Sequence, residues 1–176
     1  EGYGPTPAAI RQLVQKGAGL IVTVDCGSTS HEALDAAREE GCEVVVIDHH
    51  QLGHELPHCL ALVNPNREDD LSGQGHLCAA GVVFMVLVAT ARLLRQQGHP
   101  RAAGLDLLAW LDLVALATVC DVVPLRGLNR AFVVKGLLAA RHMNNAGLAA
   151  LLRKAGLGGP VTPYHLGFLV GPRINA

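Results

Sequence analysis

The feature that most constrains this chain is an apolar run at residues 44–47, followed at once by Asp48, His49 and His50. Its β-branched residues predict a strand buried on both faces, as in the parallel sheets of α/β proteins. Such strands open at their carboxyl ends onto the ligand crevice, so the three polar residues lie where a site would form. One carboxylate with two imidazoles suits Mn²⁺, Zn²⁺ or Fe²⁺, and also Mg²⁺ where further carboxylates join. The alternative is that both His are loop residues bonded to nearby backbone.

A second strand of the same kind precedes this one. Residues 20–24 form another apolar run interpreted as a buried strand, and Asp25 is the first residue after it. Between the strands, residues 29–32 (Thr-Ser-His-Glu) match a capping box, and the helix that follows can end at Gly41 in the left-handed conformation. This order predicts a β-α-β unit with a right-handed crossover and parallel strands. Asp25 and Asp48 are therefore expected at the same edge of the sheet.

The remaining elements complete an α/β prediction. A third short strand, 61–63, leads into Asn64, and a polar loop at 67–75 separates it from a helical second half. The predicted fold class is α/β: a parallel Rossmann-like sheet flanked by helices in residues 1–66, followed by a mainly helical part of the same domain in 67–176. The predicted helices run over 8–16, 33–40, 79–97, 105–119, 129–142, 147–155 and 163–168.

Composition excludes several classes of protein. The 176 residues are half hydrophobic, enough for one globular domain, and the net charge of −1 gives no global basic field for nucleic acid. Five cysteines with no CxxC pair argue against a disulfide framework or structural zinc site and predict reduced thiols in a cytosolic protein. The apolar window 77–94 contains Thr90 and Arg92 and is interpreted as a buried helix rather than a membrane span. No signal peptide is visible, and the chain, which begins at Glu1, is expected to come from a longer one.

Three further polar residues are candidates for the site. Asp121 stands in the otherwise apolar run 113–125, where an unpaired buried carboxylate would be costly, so a metal or another cation is the expected partner. The alternative is that Asp121 caps the turn before Pro124. Asn64 either touches the site or is only a turn residue. Arg173 either binds phosphate through its planar fork or is a solvated surface group.

Taken together, these motifs resemble the DHH phosphoesterase superfamily and, within it, the RecJ-like single-strand-specific exonucleases. The resemblance covers essentially the whole chain, in the expected order. The Asp-His-His triplet alone indicates only the superfamily, whereas the Asp-Val-Val-Pro-Leu run and the Pro-Arg-Ile-Asn-Ala ending are specific to RecJ-like members. The matching segments are 25–27 (Asp-Cys-Gly), 48–50 (Asp-His-His), 64–65 (Asn-Pro), 113–125, 129–130 (Asn-Arg) and 171–176 (Gly-Pro-Arg-Ile-Asn-Ala).

The resemblance implies an exonuclease that hydrolyses single-stranded DNA from 5′ to 3′ in DNA repair and recombination. It implies two divalent cations, Mn²⁺ or Mg²⁺, which can lower the pKa of a bridging water and neutralise charge in the transition state. By matching position, Asp25 would bridge the two metals, and His49 and Asp121 would be further ligands. The implied partners are single-stranded DNA, single-strand-binding protein and a helicase, with no membrane.

The resemblance also implies roles around the reacting phosphate. Asp48 would orient the adjacent imidazole, with Asn64 supporting the same site. His50 and Arg173 would face the scissile phosphate. In this scheme the carboxylates bind the metals, while imidazole and guanidinium handle the phosphate, so protein acid–base groups have a minor part.

Side chains that could guide a single strand of DNA are few. Aromatic residues make up 3% of the chain, and Tyr3, Tyr164 and Phe168, the candidates for base stacking, are each expected to be packing residues. Most of the basic residues are expected to be ordinary solvated charges. The cations that could follow a phosphate backbone are Arg92, Arg95, Arg101, Arg126, Arg130, Arg141, Arg153 and Lys154.

Two departures from the family pattern limit what these residues are expected to do alone. The Asp-x-Asp element of the first family motif and the C-terminal substrate-binding domain are absent, so the 176 residues by themselves are expected to fold yet show little nuclease activity and weak metal affinity. Two other functions stay open. One is a DHH phosphodiesterase that acts on short oligonucleotides, cyclic dinucleotides or pyrophosphate, and the other is a non-catalytic DNA-replication scaffold.

Overall fold

A parallel sheet organises the first part of the computed structural model, which describes residues 4–174. Within that range the sheet has three strands in the order β1 (Leu20–Val24), β2 (Glu43–Ile47) and β3 (Ala61–Val63). Leu20 pairs with Glu43 and Val45 with Ala61, both in parallel register. The predicted α/β class, the parallel β-α-β unit and the third strand are confirmed.

Two helices, α1 (Pro7–Gln15) and α2 (His31–Glu39), cover one face of this sheet. Their apolar residues form one core with the side chains of β1 and β2 on that face; its buried members are Ile10, Ile21, Ala33, Leu34, Ala37, Cys42, Val44 and Val46.

The prediction that β1 is a buried strand was wrong for three of its five side chains. Leu20, Val22 and Val24 are 46–53% exposed, because β1 lies at the edge of the sheet and both helices pack on the opposite face. Alternation of side chains along a strand places every second residue on the other face.

Local sequence explains where the first two helices begin and end. Thr6 caps α1 by accepting a hydrogen bond from the Ala9 amide, and Pro7 occupies the first turn. The capping box predicted for α2 was wrong: the N-cap is Ser30, whose side chain makes no cap hydrogen bond. Gly41 has φ +71°, which confirms the left-handed helix end.

The chain divides into two units, the first reaching to Val83 and the second starting at Phe84, inside helix α3 (Ala79–Gln96). By length and apolar composition α3 could cross a membrane, a test that the core helix of a soluble protein also passes. The prediction of a buried helix holds mainly for its first turns, since Met85, Val88 and Leu93 are 37–53% exposed.

The second unit is helical, as predicted. The helix predicted over 105–119 is shorter than expected: Asp106 caps a 3₁₀ turn, Leu107–Trp110, by accepting from the Leu108 amide, and α4 starts only at Leu111. The helices that follow α3 are α4 (Leu111–Cys120), α5 (Gly127–Ala140), α6 (Ala146–Lys154) and α7 (Gly171–Ile174).

The last described segment differs from its prediction in shape. A helix starts at Pro163, widens into a π-helical turn over His165–Val170 and continues as α7, instead of ending at 168. Gly167 and Gly171 allow it to lie close to α4: a Cβ on Gly167 would be 3.2 Å from Val119 Cγ1, and one on Gly171 would be 2.7 Å from Cys120 Sγ. Tyr3 and the final two residues of the 171–176 motif lie outside the described residues.

The five cysteines are all within the described part of the chain, and none of them forms a disulfide. Burial raises the pKa of the Cys59 and Cys120 thiols. The prediction of thiols rather than a disulfide framework is confirmed.

Candidate metal centre

The carboxyl ends of the strands bring the predicted acids and imidazoles together. The Asp25 amide donates to the Ile47 carbonyl at 3.0 Å, and the Asp48 amide donates to the Val63 carbonyl at 3.0 Å, so both aspartates continue the ladder by one residue. One potential ligand atom from each of Asp25, His49 and His50 lies within 4.8 Å of the others. This edge of the sheet in the first unit therefore carries a cluster of three potential metal ligands.

Asp25 is presented by an unusual turn. Its φ is +62°, a left-handed conformation that Asp tolerates better than most residues, and its side chain is 62% exposed. The turn then passes close to the sheet at Gly27, where a Cβ would lie 2.7 Å from Thr23 Oγ1 and 3.2 Å from Val46 Cγ1. Only glycine fits there. The close approach of Gly27 to the sheet holds the backbone two residues after Asp25.

His49 is oriented by a backbone carbonyl. Its Nδ1 lies 3.0 Å from the Leu77 oxygen, which can only accept, so Nδ1 carries a hydrogen. In the neutral ring Nε2 then presents its lone pair, and Nε2 is 3.2 Å from Oδ1 of Asp25. Two acceptors at that distance repel each other unless a proton or a cation lies between them. This pair fits a cation-binding site.

Asp48 is the buried anchor of the cluster, with a 2% exposed side chain. Its Oδ1 accepts from the His49 amide at 2.8 Å and lies 2.7 Å from Nδ1 of His50, and its Oδ2 accepts from the Ser28 amide at 3.1 Å. Burial alone would raise the pKa of Asp48, but these hydrogen bonds, led by that of His50, lower it to about 2. Asp48 is therefore a fixed negative charge that holds His50.

Asn64 joins the three strand ends. Its Nδ2 donates to Ser28 Oγ and to the His50 carbonyl, both at 2.9 Å, and its Oδ1 accepts from the Asn66 amide at 2.9 Å. With 3% exposure, Asn64 supports the turns that carry the cluster and does not itself face solvent.

Sequence reasoning missed two supporting residues. Ser28 is buried and links Asp48 to Asn64, and Asn66 donates through Nδ2 to the carbonyls of His49 and Gly75. Both lie within three residues of a predicted site residue, in turns rich in Asn and Ser. Such side chains frequently bond to backbone, and this would have been the signal.

Asp121 belongs to the second unit, where it follows α4, and its amide donates to the Ala117 carbonyl at 2.9 Å. The expectation that Asp121 is a buried misfit charge was wrong, because the residue is exposed at the end of the helix. The turn after it is held by Asn129, which is fully buried and donates through Nδ2 to the Pro124 carbonyl at 3.0 Å. Arg173, also exposed, donates through Nη1 to the Leu169 carbonyl of its own helix.

The sequence model described as "DHH family, N-terminal domain" matches residues 4–118. The chain belongs to the DHH family. That match includes the strand-end cluster of Asp25, His49 and His50 together with the residues that support it.

Relatives within the family are similar over the full length of this chain. It is 41% identical to the single-stranded-DNA-specific exonuclease RecJ of Dickeya dadantii and 40% identical to that of Escherichia coli, with 100% of this chain and 31% of each relative aligned. The corresponding protein of Bacillus subtilis is 34% identical, with 21% of its length aligned. The chain thus spans no more than about a third of the length of these relatives.

Solved structures of RecJ proteins have a similar fold. A crystal structure of exonuclease RecJ bound to manganese superimposes with a TM-score of 0.82 at 36% identity, covering 99% of this chain and 42% of that one. RecJ from Thermus thermophilus in complex with Mn²⁺ gives a TM-score of 0.77 at 34% identity, covering 97% of this chain and 24% of that one.

Proposed function

We propose that this chain is part of the catalytic core of a RecJ-like exonuclease that hydrolyses single-stranded DNA from 5′ to 3′ with divalent metal ions. The observation that carries the proposal is the cluster of Asp25, His49 and His50 at the sheet edge of a DHH-family chain. Similarity to RecJ proteins over the full chain supports the substrate, and manganese in a similar solved structure supports Mn²⁺ or Mg²⁺ as the metal.

The donor set fits such metals. Asp25 supplies a carboxylate and His49 an imidazole nitrogen, the mixture that Mn²⁺ accepts, and Asp121 is the third proposed ligand. If two ions bind, Asp25 would be the ligand that they share. When bound, the ions lower the pKa of a water molecule and neutralise charge on the phosphate.

The residues around the metals handle the substrate. His50 is held through Nδ1 by Asp48, so Nε2 projects from a fixed ring, and a protonated ring can donate Nε2–H to a phosphate oxygen. Arg173 contributes a guanidinium group for the same phosphate. Asp48 and Asn64 act through the turns that they hold, not by touching the phosphate.

The wider setting follows from the same proposal. A single-strand exonuclease acts in DNA repair and recombination, after a helicase has separated the strands and with single-strand-binding protein on the substrate. We place the protein in the cytoplasm, where reduced thiols persist.

The test uses the intact polypeptide that contains this chain. With Mn²⁺ and single-stranded DNA labelled at either end, we expect early release of the 5′ label as a mononucleotide, slow loss of the 3′ label, and no attack on a blunt duplex. Asp25→Asn and Asp121→Asn should abolish the activity. The matched control is Asp35→Asn, a carboxylate of the same unit paired with His58 at 3.0 Å away from the cluster.

Two outcomes would overturn the proposal. Faster hydrolysis of a dinucleotide or cyclic dinucleotide than of the long strand would indicate the other DHH phosphodiesterase function. Binding of DNA without any metal-dependent hydrolysis would indicate a scaffold.

A further inference from the structure

Two aromatic rings lie stacked on the surface of the second unit. The ring centroids of Tyr164 and Phe168 are 5.1 Å apart with 27° between their planes, and these residues are 60% and 69% exposed. The expectation that they are packing residues was wrong. The same unit contains a packing pair for comparison: Phe84 and Phe132 meet edge to face and are 6% and 7% exposed.

The helix that carries these rings packs into the core of the second unit, so the pair does not lie on a loosely packed segment. Leu166 and Val170, on the other side of the helix, are 1% and 0% exposed within the core shared with α4 and α6. Gly167 and Gly171 bring the helix close to Val119 and Cys120, as described above. Two large apolar rings held outward on a rigid support favour a ligand that covers them.

The charge of this unit indicates what the ligand is. From Phe84 onward the chain has ten Lys or Arg and three Asp with no Glu, whereas the first 83 residues have four Lys or Arg and twelve Asp or Glu. The net charge of −1 therefore hides a strongly basic second unit. Exposed aromatic rings on a unit with an excess of cationic side chains are a combination that binds single-stranded nucleic acid, through stacking and phosphate attraction together.

The rings also lie on the helix that carries Arg173, and this helix packs against the α4 residues directly before Asp121. The proposed phosphate-binding residue Arg173 and the proposed metal ligand Asp121 are therefore on, or directly after, the elements that support the pair. A strand whose phosphate reaches Arg173 has bases near the same helix.

We propose that Tyr164 and Phe168 form a platform on which a nucleobase of the single-stranded DNA substrate stacks. This inference rests on the proposed function for the identity of the strand. The two rings already contact each other, so the base packs against an outer ring face and does not enter between them. Because every base has a π-face, the platform binds any sequence but discriminates against a strand that lacks bases.

The test is a double variant, Tyr164→Leu/Phe168→Leu, in the intact polypeptide, with EDTA present so that binding is measured without cleavage. Leucine keeps an apolar side chain at both positions but removes the π-faces. Affinity is measured for an oligonucleotide and for an abasic strand of equal length, across a salt series. The matched control is Trp110→Leu, an aromatic residue of the same unit that is 48% exposed.

We expect wild type and the Trp110→Leu variant to bind the strand with bases more tightly than the abasic strand. The double variant should lose about 5- to 100-fold in affinity for the strand with bases and keep its affinity for the abasic strand. The salt dependence should not change, because no charge is removed. Tyr164→Trp/Phe168→Trp should retain the preference, which separates loss of stacking from misfolding.

Failure of the platform and failure of the proposed function give different results. If the double variant binds and discriminates as wild type does while wild type still degrades single-stranded DNA with Mn²⁺, the platform is overturned and the function stands. If wild type neither binds nor degrades the strand, the proposed function fails first, and the platform fails with it.

Discussion

Asp48 and His50 form a hydrogen-bonded pair that connects the buried sheet end to the solvent-facing cluster. Their Oδ1 and Nδ1 atoms are 2.7 Å apart, although the Asp48 side chain is 2% exposed and that of His50 is 58% exposed. The same oxygen accepts from the His49 amide. One buried carboxylate therefore fixes the conformation of both imidazole residues.

Asp48→Asn should destabilise the protein by about 2 kcal/mol at pH 7. The amide group replaces one of two accepting oxygens, so an amide hydrogen from Ser28 or His49 loses its partner. Chemical denaturation of the metal-free protein measures the change. Glu55→Gln, on an exposed loop, is the control and should leave the unfolding free energy unchanged.

The same contribution should depend on pH in a defined window. The pKa of Asp48 is lowered from its usual 3.8 to about 2 in the folded protein, so the stabilisation is complete above about 3.8 and is lost as the pH falls to about 2. The difference in stability between wild type and Asp48→Asn should therefore narrow across that window. A difference that stays constant from pH 7 to pH 2 would contradict the assignment.

Asp25→Asn should weaken Mn²⁺ binding by more than about 10-fold, because it removes the carboxylate that faces Nε2 of His49 at 3.2 Å. The paramagnetic signal of unbound Mn²⁺ measures the affinity directly, independently of nuclease activity. Asp35→Asn breaks a similar carboxylate–imidazole pair, with His58, and should bind Mn²⁺ as wild type does. Equal affinities for all three proteins would show that the metal lies elsewhere.

Asn64→Ala should lower the free energy of unfolding by about 1–3 kcal/mol, since it removes the buried hydrogen bonds that the Asn64 amide donates to the Ser28 hydroxyl and the His50 carbonyl. It should also loosen the turns around the cluster, which faster amide hydrogen exchange at residues 28 and 66 would reveal. Asn144→Ala, at an exposed position, serves as the comparison. Unchanged amide hydrogen exchange at both residues would contradict the inference that Asn64 holds these turns in place.

Gly136→Ala should destabilise the second unit by about 1–3 kcal/mol, although alanine is the better helix former by about 1 kcal/mol. An added Cβ would lie 2.1 Å from the Leu111 carbonyl oxygen and 2.4 Å from the Ala115 Cβ, where α5 crosses α4. Gly147→Ala, in α6, meets only an ordinary contact and should stabilise instead. Opposite signs for the two substitutions in thermal unfolding are the expected result.

Periodicity and strand-end chemistry predicted the elements that carry the cluster. The run at 44–47 and the run at 20–24 were sufficient for the parallel pair, because two apolar strands with a helix between them have one common arrangement. That arrangement alone places Asp25 beside His49. The same pattern of an apolar run ending in a polar residue predicted the third strand and the position of Asn64 at its end.

Features that depend on tertiary surroundings could not be predicted in this way. The exposure of Asp121 depends on what covers the end of α4, and the apolar run around it suggested the opposite. The exposure of the side chains on one face of β1 depends on which face of the sheet the helices cover. The contact between His49 and the Leu77 carbonyl joins residues 28 positions apart through a loop, which leaves no local pattern.

The π-helical turn over His165–Val170 has a consequence for how this segment can vary. Such a turn accommodates about one residue more than an α-helix does, and it lies between Tyr164 and Arg173. Deleting a single residue there would restore α-helical winding and keep the orientation of Arg173, whereas a deletion in the regular turn that follows would rotate the rest of the chain by roughly 100° around the axis. The orientation of Arg173 relative to Tyr164 is thus tolerant of the loss of one residue within this turn but not of other changes in length.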